Sequence, residues 1–142
     1  MFFGQKEVLI DEKSRLVLPA NYRGEFPNGQ VYATFGLDAC IDIYSEKTYL
    51  GKREEIRKLS DYDKVSRDFK RTFASNTFPL MLDSHNRILL PKQLLEKKKI
   101  GKKVMVVGNR NHLEIWDSDT FQKYEETAQQ DFSSNAQGLI GK

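Results

Sequence analysis

Apolar and polar positions alternate in short runs along most of the chain, and a helical period appears only in its middle and towards its end. Val8-Leu9-Ile10 and Arg15–Leu18 predict two strands around a tight turn at Asp11-Glu12-Lys13-Ser14. Pro19 cannot donate to a ladder, so it ends the second strand and opens a short helix over Ala20–Glu25. Strands follow over Val31–Phe35 and Cys40–Tyr44; in the latter Ile41 and Ile43 alternate with Asp42, which predicts one wet face. Ser45 is placed to cap a helix over Glu46–Leu59, with Tyr49, Ile56 and Leu59 inward. Asp61 predicts another cap, before a helix from Asp63 to Phe73 that carries Val65, Phe69 and Phe73 on one stripe.

The strand Thr77–Leu82 contains Pro79, which calls for an edge position or a bulge. A strand over Ile88–Leu90 and a helix over Pro91–Lys98, with Leu94 and Leu95 inward, come next. Val104–Val107 and His112–Trp116 are the last strands, and Asp117 or Ser118 caps a final helix to about Thr127. The polar stretch Gln129–Lys142 predicts a frayed tail.

This pattern occurs twice. Asp11-Glu12-Lys13-Ser14-Arg15-Leu16-Val17-Leu18-Pro19 matches Asp83-Ser84-His85-Asn86-Arg87-Ile88-Leu89-Leu90-Pro91 at Asp, Arg, the last Leu and Pro, with aliphatics after each Arg. Carried forward without a gap, the same offset pairs Gly29 with Gly101, Gly36 with Gly108, Ile43 with Ile115 and Thr48 with Thr120. Four short strands cannot cover their own apolar face, so two copies must share one core about a pseudo-twofold axis. The expected organisation is a first repeat over 5–47, a helical insert over 48–76, a second repeat over 77–120, and a helix end and flexible tail over 121–142.

Composition narrows the function. A chain of 142 residues with 39% hydrophobic and 30% charged residues suits one globular unit. A net charge of +3 permits a polyanionic partner without demanding one. The single cysteine, Cys40, allows no intrachain disulfide and fits a reducing compartment. The start lacks a basic segment followed by a long apolar run, and no run is long enough to span a membrane, so a cytoplasmic protein is expected. No Ser/His/Asp set, Gly-rich phosphate loop or catalytically spaced carboxylate pair is evident, so the chain reads as a non-enzyme without cofactor or small-molecule substrate. Cys40 and His112 occupy equivalent repeat positions, but two ligands are too few for a metal site.

The two turns carry the candidate chemistry. Arg15 and Arg87 offer planar forks for guanine edges or phosphates; the alternative is an ion pair that braces each turn through Asp11 or Asp83. Lys13, Arg23, Lys92, Lys102 and Lys103 are candidate phosphate contacts. Asp11, Asp83, Pro19 and Pro91 read as structural parts of the turns.

With its doubled Asp-x-x-x-Arg, three aliphatics and Pro, and with Val106-x-Gly108 ahead of Leu113–Trp116, nearly the whole chain resembles the MraZ family of bacterial transcriptional regulators. The resemblance implies a mainly β, α+β fold of two tandem AbrB/SpoVT-like swapped-hairpin repeats, joined in one pseudo-twofold β-barrel core with flanking helices. It implies a ring-like homo-oligomer on double-stranded DNA, bound at short direct repeats upstream of the division and cell-wall gene cluster, in the nucleoid. The DNA-facing set would be Arg15, Arg87, Lys13, His85, Ser14, Asn86, Arg23 and Lys92. Ser14 and Asn86 stand where the family usually has Gly, and His85 where it has a basic residue. The other reading is an antitoxin-like or scaffold module of the same fold whose partner is a protein. Such a module would carry a long disordered arm, and the tail here is short.

Overall fold

A computed structural model describes residues 1–141; Lys142, the last residue of the expected tail, lies outside the described residues. The first repeat supplies β1 (Gln5–Leu9), β2 (Arg15–Val17), a 3-10 helix (Ala20–Glu25), β3 (Gln30–Phe35) and β4 (Cys40–Ser45). Helices α1 (Glu46–Arg57) and α2 (Lys64–Ser75) form the insert. The second repeat supplies β5 (Phe78–Met81), β6 (Arg87–Leu89), α3 (Lys92–Lys97), β7 (Lys103–Asn109) and β8 (His112–Asp117). Helices α4 (Ser118–Gln130) and α5 (Phe132–Ile140) complete the chain.

The main sheet is antiparallel with order β1-β7-β8-β4-β3-β5, and β2 pairs with β6 in a separate ribbon. Exchanging the two repeats leaves that order unchanged. Each repeat lends its first strand to the other: β1 lies on β7 and β5 on β3. The two edges, β1 and β5, do not pair, so the sheet is open and the closed barrel expected from the repeats is not formed. After each edge strand the chain turns away to build the ribbon, which caps the core instead of closing the sheet. Pro79 lies in edge strand β5, where its missing N–H costs little.

One core fills the space between ribbon and sheet. Leu16, Leu18, Ile88 and Leu90 from the ribbon side are buried against Val31, Ile41, Ile43, Val104, Leu113 and Ile115 from the sheet. Each such side chain contributes about 1.5–3 kcal/mol by leaving water. Each repeat supplies part of both walls, and neither completes either wall alone. The other face of the sheet is not the wet face that the alternation at Asp42 predicts. Tyr32, Tyr49 and Phe73 stack over one half of it, and Trp116, Phe121 and Met105 cluster over the other.

The repeat is not carried forward without a gap. Val31 pairs with Ser45 and Val104 with Asp117, a separation of 73 residues on one strand and 72 on its partner. The loop between β3 and β4 is closed by Gly36 N–H donating to the Cys40 carbonyl, whereas β7 and β8 pair up to Asn109 and His112 around a two-residue turn. Gly29 and Gly101, and Gly36 and Gly108, are therefore not structural equivalents. Gly29 has φ +72, while Gly101 carries no positive φ. Gly108 lets the N-terminal segment cross β7, where its N–H donates to the Gly4 carbonyl. That crossing buries Phe2, 2% exposed, against Tyr22 and Phe26, although its terminal position suggests an exposed aromatic.

Helix boundaries follow capping chemistry. Ser45 accepts from Thr48 N–H and Asp117 from Thr120 N–H, as expected. Asp63, not Asp61, caps α2 through Ser66 N–H; Asp61 instead pairs with Lys70 at 2.8 Å. Leu59 and Val65, expected inward, are exposed. The tail expected to fray is helical over α5, yet Phe132, Leu139 and Ile140 all point to solvent.

Three stability measurements check this arrangement. A Cβ at Gly108 would meet the Phe2 and Phe3 backbone at 2.5–2.7 Å, so Gly108→Ala should destabilise by about 1–3 kcal/mol in urea melts. Gly51 in α1 has open space around it, so Gly51→Ala should raise stability by about 0.5–1 kcal/mol. Truncation after Gln130 should leave the melting temperature nearly unchanged, and a large drop would show that α5 docks on the core.

Candidate nucleic-acid interface

Each repeat turn is built around its aspartate. One oxygen of Asp11 accepts the N–H groups of Lys13 and Arg15 at 2.9 and 2.8 Å, and the other accepts Arg15 Nε at 2.7 Å. Asp83 repeats this with the N–H groups of His85 and Arg87 at 2.8 and 2.9 Å and Arg87 Nε at 2.7 Å. Ser14 and Asn86 have φ values of 65° and 57°, so both occupy the left-handed conformation that the turn needs. The serine turn has the same geometry as the asparagine turn: Ser14 N–H and Asn86 N–H each donate to the aspartate carbonyl at 3.0 Å.

The turns are tied to one another. Leu18 N–H donates to the Asn86 carbonyl and Leu90 N–H to the Ser14 carbonyl, both at 2.9 Å. Across the ribbon Arg15 faces Leu89 and Val17 faces Arg87. Leu16 and Ile88 point into the core, so these four side chains share the outer face. Two arginines flanked by two exposed aliphatics, Val17 at 47% and Leu89 at 55%, make a mixed surface patch. Val17 and Leu89 were absent from the sequence-derived set; the period-2 pattern around buried Leu16 and Ile88 is the signal that marks them.

The arginines brace and remain available at once. Their Nε atoms hold the aspartates, and among the described residues neither terminal nitrogen pair has a hydrogen-bond acceptor. Lys13 and His85 sit exposed at the turn tips. Lys92 is exposed just past Pro91, while Arg23 donates its Nε to the Leu18 carbonyl at 3.0 Å and so also supports the ribbon's end. The Lys102 carbonyl accepts from Ile10 N–H beside the first turn, and the Lys102 and Lys103 side chains are exposed there. The neighbouring lysines are engaged elsewhere: Lys97 reaches Asn76 Oδ1, and Lys98 binds the Gly36 and Asp38 carbonyls above the Phe35 ring.

The Arg15 backbone N–H, with its guanidinium and the Lys13 N–H, holds the Asp11 carboxyl below the usual carboxylate range. At Asp83 partial desolvation opposes ionisation, but the Arg87 N–H and guanidinium and the His85 N–H outweigh it and hold the carboxyl at about 2.

Edge-strand exchange, a two-stranded ribbon and paired Asp–Arg turns define an α+β protein with a mostly antiparallel sheet, built from two copies of one module on one chain. The family model described as "MraZ protein, putative antitoxin-like" matches residues 1–72 and again residues 73–141. The chain belongs to the MraZ family. It is 36% identical over 125 residues to a protein of Mycoplasma mycoides, covering 88% of this chain and 93% of that one. It is 34% identical over 133 residues to one of Cutibacterium acnes, covering 94% and 93%. Identity to one of Cytophaga hutchinsonii is 33% over 126 residues, covering 87% and 83%. All three are named Transcriptional regulator MraZ. Among the described residues no helix is long and apolar enough to cross a membrane.

The turn geometry has a pH signature. Asp83 titrates at about 2 when folded, below the roughly 3.9 of an unfolded aspartate, so its ionised form adds stability above about pH 4 and loses it as pH falls towards 2. Asp83→Asn should be less stable than the native protein at pH 6, and the gap should shrink between pH 4 and pH 2. Urea melts across that range check it; a pH-independent gap would remove the carboxylate from the turn's energetics.

Proposed function

We propose that the chain is a sequence-specific, DNA-binding transcriptional regulator that reads duplex DNA with its paired turns. The observation that carries this reading is the pair of open guanidinium edges on one face, each aimed by an aspartate through Nε. A fork fixed in this way matches a guanine edge or a phosphate, and the fixing lowers the entropy lost on binding. Both turn carboxylates are engaged by backbone N–H groups, which lessens their repulsion of phosphate. Val17 and Leu89 suit thymine methyl groups in the same groove. Lys13, His85, Ser14, Asn86, Arg23 and Lys92 supply the surrounding polar and cationic contacts.

The MraZ names of the relatives support transcriptional regulation. The proposal extends to short direct repeats upstream of the division and cell-wall gene cluster, read by a ring-like homo-oligomer in the nucleoid. Exposed Leu9, Val65 and Leu139 are apolar surface for self-assembly. A second reading, an antitoxin-like or scaffold module with a protein partner, draws on the family description and on the unpartnered apolar residues of α5. Retention of DNA affinity after removal of α5 would favour the regulator.

Arg15→Ala and Arg87→Ala should each weaken binding to the specific site by about 1–3 kcal/mol while binding to random DNA falls less. Lys102→Ala should weaken all sequences alike and flatten the salt slope by about one unit for one lost phosphate contact. Fluorescence anisotropy on single and tandem boxes separates these effects, with folding checked by circular dichroism. Arginine variants that stay folded and bind tandem boxes at native concentration would move the interface off the turns.

A further inference from the structure

The pseudo-twofold axis passes through one cross-strand pair. β4 and β8 pair as Cys40–Trp116, Ile41–Ile115, Asp42–Glu114 and Ile43–Leu113, and exchange of the repeats maps Asp42–Glu114 onto itself. Two carboxylates therefore face each other on the covered side of the sheet, both mostly buried. Like charges directly opposite in a ladder are destabilising. Their surroundings hold two further donor side chains. Cys40 Sγ lies 3.5 Å from Asp42 Oδ1. His112 Nε2 lies 3.1 Å from Glu114 Oε2 and 3.7 Å from Asp42 Oδ1. The Cys40, Asp42 and Glu114 ligand atoms all fall within 4.8 Å of one another, and His112 stands at the side of that set, against the two carboxylates.

We propose that Cys40, Asp42 and Glu114, joined by His112 after a side-chain movement, form a binding site for a zinc-type divalent cation. Zinc takes thiolate at about 2.3 Å and imidazole nitrogen or carboxylate oxygen at about 2.0–2.1 Å in a tetrahedron. Those lengths require edges of about 3.5 Å between sulfur and oxygen and about 3.3 Å between nitrogen and oxygen. The sulfur–oxygen distance here is 3.5 Å, and the two nitrogen–oxygen distances of 3.1 and 3.7 Å bracket the second value.

Three further observations point to a cation. Trp116 Nε1 donates to Glu114 Oε1 at 2.9 Å and Asn109 Nδ2 to Oε2 at 3.0 Å, the outer support that metal-binding carboxylates use. Thr34, fully buried and directly opposite Asp42 in the β3–β4 ladder, has a hydroxyl with no hydrogen-bond partner among the described residues, which leaves a polar group beside the cluster unsatisfied. A cavity of about 470 Å³ reaches the cluster and gives an ion its path in.

Binding would release the thiol proton, and any proton held between His112 and the carboxylates, to solvent. Because Cys40 and Asp42 belong to the first repeat and Glu114 and His112 to the second, the ion would staple the halves together. Cys40 and His112 alone are too few ligands; the carboxylates two residues from each complete the set.

The test uses the chelator-stripped full-length protein titrated with Co²⁺ and Zn²⁺ alone. The expected result is a thiolate-to-cobalt charge-transfer band with tetrahedral visible bands, bleached by Zn²⁺, at one equivalent per chain. The single Trp116, hydrogen-bonded to Glu114, should report the same event through its fluorescence. Cys40→Ser should abolish the charge-transfer band, Asp42→Asn and Glu114→Gln should lower affinity at least tenfold, and His85→Ala should change neither. Zn²⁺ should raise the melting temperature of the native protein and not that of Cys40→Ser, a comparison that holds even if the carboxylate variants fold poorly. Absence of the band, or equal Co²⁺ affinity in native protein and Cys40→Ser, overturns the site.

Discussion

Everything in this fold depends on a core whose two walls are each built jointly by both halves of the chain. The ribbon needs β2 from the first repeat and β6 from the second, and each outer ladder of the sheet pairs strands of opposite repeats. Burying Leu16, Leu18, Ile88 and Leu90 is thus inseparable from docking the repeats. The same event places both Asp–Arg turns on one ribbon and brings Asp42 against Glu114. A division of labour into a folding half and a binding half has no place in such a molecule: the contacts that stabilise it also position its surface chemistry.

The turns show how rigidity is obtained without a large local core. A single carboxylate organises two backbone N–H groups and one guanidinium, and a left-handed residue closes the loop. Backbone bonds from Leu18 to Asn86 and from Leu90 to Ser14 then lock each turn to the opposite repeat. The arginine side chain is long and rotamer-rich, so holding Nε removes most of the freedom that it would otherwise lose on meeting a ligand.

Much of this was legible in the residues. The doubled Asp-x-x-x-Arg with its aliphatics and Pro located the turns, the ribbon strands and the shared core, and Pro79 marked an edge strand. What the sequence hid was non-local. The slip between β3 and β7 escaped because two glycine pairs match at the ungapped offset, and only hairpin loop length separates them. Phe2 read as exposed because nothing local announces that Gly108 admits its backbone across β7. Asp61 and Asp63 are equal as capping residues until Ser66 is seen to meet the latter. Alternation correctly put Asp42 opposite the core, but a period of two does not reveal that the insert and α4 cover that face. The arginines were found; their aliphatic neighbours Val17 and Leu89 were overlooked because exposure on a three-residue strand depends on the partner strand.

Strand exchange also sets a clock for biosynthesis. β1 is finished by Leu9, yet its ladder partner β7 begins at Lys103. At about 5–20 residues per second, the ribosome separates these events by about 5–20 seconds. Throughout that interval β1 has no ladder neighbour, and from the completion of β3 until β5 is made β3 also lacks its outer partner. On a polysome, the first free β7 to come within reach can belong to the chain ahead. Pairing with it builds the same ladder between two polypeptides, so the spacing of ribosomes on the message becomes a determinant of which molecules close on themselves.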